Sequence, residues 1–264
     1  TVRNNGLNGW GNGLSIWDSY GGISNSKIEN HDNGNGIGIL GNSTGWIQKN
    51  QITVAKYSGI SIGENSVGYI GGDPDSDGTE NGNTLTGPFE TGIQVGGNSY
   101  AEIIGNVISG YSREGIIIYG NSSSKIGSDN DQDTYDSSKR SKYGNTLDGM
   151  ALTGQSVKDW QRGIQVSESS TAQLKRNLIE NNSGGGIRVS ENAVLELGGG
   201  NIIQNNMHTE SDGDIEGSGF DLRSGSALEM WNSAQEREPN TITGNGEYAF
   251  RVEGSHLDLR GGDD

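Results

Sequence analysis

One short pattern, a glycine followed by an apolar residue, any residue and a second apolar residue, constrains this chain more than any other feature. It is clearest at Gly92-Ile93-Gln94-Val95 and begins again at Gly13, Gly36, Gly59, Gly115, Gly163, Gly186 and Gly219. A ninth copy starts at Ala249. The intervals are 23, 23, 33, 23, 48, 23, 33 and 30 residues, so the basal unit is 23 residues and the longer intervals carry insertions. A fixed period of this size marks stacked repeats, each touching only its neighbours, and not a globule around one central core.

Each unit holds three apolar signals. The first is the pair inside the pattern, at period two, which is a strand with both residues on one face. The second lies ten or eleven positions on: Ile47, Ile70, Ile103, Ile126, Leu174, Leu197, Met230 and Leu259. The third follows an asparagine, as in Asn50-Gln51-Ile52, Asn106-Val107-Ile108 and Asn177-Leu178-Ile179. Gly, Asn and Ser fill the intervals, as turns demand. Three strands and three turns make one coil of a parallel β-helix, and stacked coils bring equivalent residues about 4.8 Å apart. Two columns follow: Leu14, Ile37, Ile60, Ile93, Ile116, Ile164, Ile187, Phe220, Phe250, and Ile16, Ile39, Ile62, Val95, Ile118, Val166, Val189, Leu222, Val252. Every position is apolar in a chain that is only 29% apolar. The recurrent asparagines form a third column, in which each buried amide bonds to the next. The expected architecture is all-β: one single-stranded parallel β-helix domain over 1–264, of about nine coils and roughly 40 Å, with insertions in the coil turns.

The recurrent Gly-Ile-x-Val, Asn-Ser and Ile-x-Gly-Asn-x-Ile elements, spread over residues 13 to 260, resemble the repeat of pectate-lyase-like proteins. The resemblance implies a right-handed helix. It extends to polysaccharide lyases, alginate epimerases and many secreted or surface proteins of no known activity, so it is specific for fold and weak for function.

The formal net charge of −16 disfavours nucleic acid and anionic membranes as partners. There is no cysteine, hence no disulfide framework and no thiol chemistry. No apolar run reaches transmembrane length. The chain begins Thr1-Val2-Arg3 without an evident cap and stops within a coil, which suggests a mature or excised piece of a longer, secreted or cell-surface protein. A monomer, or part of such a larger chain, is expected.

Insertions on a repeat scaffold are where function is usually placed. Asp73-x-Asp75-x-Asp77-Gly78, with Glu80, resembles the first half of an EF-hand-type calcium loop, since alternating carboxylates before a glycine can wrap a hard cation. It departs from that loop at the twelfth position, Thr84. Asp129-x-Asp131-x-Asp133 is similar but lacks the glycine and is followed by Lys139, Arg140 and Lys142. A solvated acidic turn is the alternative at both places.

The residues between the buried positions of the first strand point outward. Four of the ten arginines, Arg162, Arg188, Arg223 and Arg251, lie on that face in the last four units, with Asp221 among them and Tyr119 at the edge. Guanidinium forks suit carboxylates, so this strip is a candidate for an extended anionic sugar chain. The resemblance supports the location, because the lyases and epimerases place their cleft on this face. It does not supply catalysis: no Asp-Pro-His-Asp, Gly-His-Gly or Trp-Ile-Asp-His motif occurs. The expectation is an extracellular carbohydrate-interacting protein, binding an anionic polysaccharide or processing it as a lyase or C5-epimerase. The alternative is a calcium-stiffened surface stalk or adhesin segment, or a protein-binding scaffold.

Overall fold

A computed structural model describes residues 2–3, 11–31, 33–72, 82–128, 144–149, 160–209, 215–231 and 239–260. Among them there is no helix. The strands lie in a 16-stranded sheet, a nine-stranded sheet and one small antiparallel pair, His208–Thr209 with Ile215–Glu216. Every pairing in the two large sheets is parallel and joins strands of successive coils, which is a parallel β-helix.

Both expected columns of the first strand are present in full. The rungs run Leu14 to Ile37, Ile60, Ile93, Ile116, Ile164, Ile187, Phe220 and Phe250, with the partner column Ile16 to Val252 beside it. From Ile37 to Phe220 the first column is shut off from solvent, and Leu14 and Phe250 at its ends are only partly buried. The second strand stacks Ile23, Ile47, Ile70, Ile103, Ile126, Leu174, Leu197, Met230 and Leu259. Beside it runs an interior column invisible to a search for apolar residues: Gly21, Gly45, Gly68, Ala101, Ser124 and Ala172, widening to Leu195 and Leu228. Space explains the small residues, since a Cβ on Gly45 would lie 2.5 Å from Ile39 Cδ1 and one on Gly68 2.8 Å from Ile62 Cδ1.

The coils do not all have three separate strands. Thr84–Val95 and Val107–Ile118 are each one 12-residue strand that serves as third strand of one coil and first strand of the next. Register shifts between Thr86 and Phe89 and between Phe89 and Thr91 bend them, as β-bulges do. Phe89 and Tyr111 are buried in the core at this bend.

The asparagine ladder is continuous. Nδ2 of Asn50, Asn83, Asn106, Asn145, Asn177 and Asn201 each donates to Oδ1 of the next asparagine at 2.9–3.1 Å, ending on Asn240. A second ladder, Asn182 to Asn206 to Asn245, stands at the opposite end of the third strands, at 2.7 and 2.8 Å. Ser43, Ser66, Ser99, Ser122 and Ser170 form a third, each Oγ accepting from the backbone N–H of the serine one coil back, or of Ser19 at the first rung. The buried asparagines and serines of these ladders are thus satisfied along the stack.

Candidate functional site

The first strands carry their outward residues in register. Gln94, Ile117, Gln165, Arg188, Asp221 and Arg251 occupy successive rungs. Arg223 pairs with Glu253 in the adjacent column. Coil stacking therefore places residues from distant sequence positions about 4.8 Å apart.

Asp221 is the centre of the cluster. Arg188 donates from Nε and Nη2 to its Oδ2 at 2.9 and 2.7 Å, and Arg223 donates from Nε to its Oδ1 at 2.7 Å. Asp221 is only 6% exposed. Burial alone would raise its pKa, but the Arg223 hydrogen bond and the Arg188 charge outweigh it and hold the carboxylate below its ordinary range. Burial lowers the Arg188 pKa, which Asp221 partly restores. Arg251 is more exposed and only loosely paired, 3.7 Å from Glu253.

Arg162 is not on the solvated surface where the alternation put it: it is 7% exposed, and its Nε has no hydrogen-bond partner. It pairs in register with Glu114, the residue before the preceding motif glycine. Burial, and then the like charge of Arg188, push Arg162 down to about 10, so it stays protonated near neutrality. Tyr119 stands apart from the arginines. Its hydroxyl accepts from Gln94 Nε2 at 2.6 Å, and Gln94 Oε1 accepts from Ser58 Oγ at 3.0 Å. Of the six residues read from the sequence, the fold brings Arg188, Asp221 and Arg223 into contact, sets Arg251 on the next rung, buries Arg162 beside them and places Tyr119 two coils before Arg188.

Sequence reasoning missed the part Glu114 plays. It is 1% exposed, accepts from Thr91 Oγ1 at 3.1 Å, and lies 3.7 Å from Arg113 Nε. The signal was available, because Glu114 and Arg162 hold the same place in the repeat. Burial drives its pKa up, against the Arg113 and Arg162 charges and the Thr91 hydrogen bond, and Glu90 adds to the rise. A carboxyl raised in the folded state contributes stability below its unfolded pKa and loses it as pH climbs through the folded value. Glu114→Gln, fixed in the neutral form, should therefore melt with the parent at about pH 4 and above it at about pH 7. A melting-temperature difference that does not grow with pH would contradict this.

The seven acidic residues proposed for calcium, Asp73, Asp75, Asp77, Glu80, Asp129, Asp131 and Asp133, lie outside the described residues. Among the described residues no group of three or more His, Asp or Glu side chains is arranged to hold a metal ion.

Comparison with known proteins gives two findings. A family described as "Right handed beta helix region" matches residues 73–234. The crystal structure of full-length tailspike protein 2 from Escherichia coli O157:H7 bacteriophage CAB120 is similar, with a TM-score of 0.59 and 9% sequence identity, over 97% of this chain and 35% of that one. That likeness is one of fold, and this chain spans about a third of the tailspike's length. No curated protein matches the chain.

Proposed function

We propose that this chain, which belongs to the right-handed β-helix family, is extracellular and holds an extended anionic polysaccharide along the outward face of its first strands. The observation that carries the reading is the Arg188–Asp221–Arg223 cluster. In a chain of net charge −16, one short stretch of this face carries three guanidinium groups, Arg188, Arg223 and Arg251, with the fourth, Arg162, buried beside them. They meet Asp221, Glu253 and Glu114, and burial pushes the last toward its neutral form. Asp221 orients both arginines while using only Nε of Arg223, so its planar terminal fork is available for a ligand carboxylate. The regular rung spacing suits a polymer with a short repeat. The resemblance of the repeat to polysaccharide lyases and epimerases supports the same face.

The proposal is one of binding. Arg188→Ala combined with Arg223→Ala should weaken affinity for polygalacturonate by at least about tenfold to a hundredfold, the equivalent of one lost charge-assisted hydrogen bond at roughly 1.5–3 kcal/mol. Circular dichroism should keep the parent's strand signal. Unchanged affinity in a folded variant would sink the strip. Calcium at the two acidic insertions is carried on sequence alone, and unchanged melting on adding a chelator to calcium-loaded protein would remove it.

A further inference from the structure

The outward face changes character along its length. Before Arg188 the outward positions are Gln94, Gly96, Ile117, Tyr119, Gln165 and Ser167, with no formal charge. From Arg188 onward they include Asp221, Arg223, Arg251 and Glu253. A homopolymer of uronic acids would set carboxylates against both halves, and only the second offers them cationic partners.

The uncharged half is built around Tyr119. A Cβ placed on Gly96 would lie 2.4 Å from Tyr119 Cζ, 2.6 Å from Cε1 and 2.8 Å from Oη. The ring therefore lies across the outside of Gly96, over the backbone of the preceding coil. Gln94 and Ser58 hold its hydroxyl end in place, so little side-chain freedom remains to be lost on binding. Beyond it in the same register come Ser167 and Ser190, both buried and small, and then Arg223. Ring and guanidinium are thus three coils, or about 14 Å, apart.

We propose that this face has two subsites in series: the Tyr119 ring over Gly96 for the apolar C–H face of an uncharged sugar, and the Arg188–Asp221–Arg223 cluster for the carboxylate of an acidic one. The preferred ligand is then a heteroglycan in which uncharged and acidic sugars alternate. This rests on the anionic-polysaccharide reading and narrows it. An aromatic face contributes about 0.5–1.5 kcal/mol beyond area burial, so the expected effects are moderate.

The test compares hyaluronan oligosaccharides, which alternate a uronate with an uncharged N-acetyl sugar, with oligogalacturonate of equal length, by calorimetry. The parent should bind the hyaluronan oligomer about tenfold more tightly. Tyr119→Ala should remove most of that preference, weakening hyaluronan binding several-fold more than oligogalacturonate binding. Tyr119→Phe, which keeps the ring, should retain a preference of several-fold. Equal binding of the two oligomers by the parent, or a preference untouched in Tyr119→Ala, overturns the two-subsite proposal alone. Binding of neither oligomer overturns it together with the reading beneath it.

Discussion

Asn106→Ala is expected to lower unfolding stability by about 3–5 kcal/mol, although the residue touches no part of the outward face. Asn106 is fully buried and sits in the middle of the ladder. Its Oδ1 accepts from the backbone N–H and the Nδ2 of Asn83 at 3.0 and 2.9 Å. Its Nδ2 donates to Asn145 Oδ1, Ile70 O and Ile104 O at 3.0, 2.9 and 3.1 Å. Alanine leaves the Asn83 backbone N–H without its partner and takes one bond each from Asn83 Nδ2, Asn145 Oδ1, Ile70 O and Ile104 O, and an orphaned group costs about 1–3 kcal/mol less whatever a trapped water recovers. The partly buried rung at Asn240 has fewer dependents, and Asn240→Ala should cost about 1 kcal/mol. Denaturant titration of the two variants checks both numbers. A loss below about 1 kcal/mol at Asn106 would mean that the amide column follows from the fold without holding it.

Gly92→Ala should be nearly as damaging, at about 2–4 kcal/mol, where Gly21→Ala should change stability by less than about 1 kcal/mol. The motif glycines are not needed for a left-handed backbone, since neither Gly92 nor Gly115 has positive φ. They are needed for close approach. A Cβ on Gly92 would lie 2.4 Å from Ile108 Cγ2 and 2.5 Å from the carbonyl oxygen of Gly115. The side chain can shift, but the carbonyl belongs to the backbone of the next coil. The contact recurs at Gly59, whose Cβ would lie 2.8 Å from Leu85 Cδ2 and from Gly92 O. At Gly21 the nearest atom is Ile16 Cδ1 at 3.8 Å, an ordinary contact. Thermal melts of the two variants side by side separate packing from chain entropy, because the substitution is the same.

The parts of this molecule legible in the sequence are those that repeat as side-chain chemistry. The Ile93 and Val95 columns and the Asn50–Asn240 ladder were readable because an apolar pair or an asparagine recurs at each rung. The second ladder was also written there, as an asparagine five residues after each of Asn177, Asn201 and Asn240. What was not legible depends on what lies across the core or over the surface. Gly45 and Gly68 look like turn residues until Ile39 and Ile62 are seen filling their space. Alternation put Arg162 outside, but nothing in the alternation says that this corner position is covered, or that Glu114 lies beside it. The clamp of Arg188 and Arg223 on Asp221 depends on side-chain directions across a 33-residue separation for one bond and two residues for the other.

Whether this face takes acidic polysaccharide is tested most directly by a polymer panel with the unmodified chain. Alginate, polygalacturonate, hyaluronan and dextran would each be tested for binding, at low and high salt, with calcium and with chelator, while unsaturated uronate absorbance is followed in the same wells. At least one acidic polymer should bind, salt should weaken the binding as it screens exposed guanidinium groups, and dextran should not bind. New absorbance on a bound polymer would add lyase chemistry to the same face. Silence on every acidic polymer, or binding of dextran as tight as theirs, would contradict the account and leave a structural stalk or protein scaffold as the better reading.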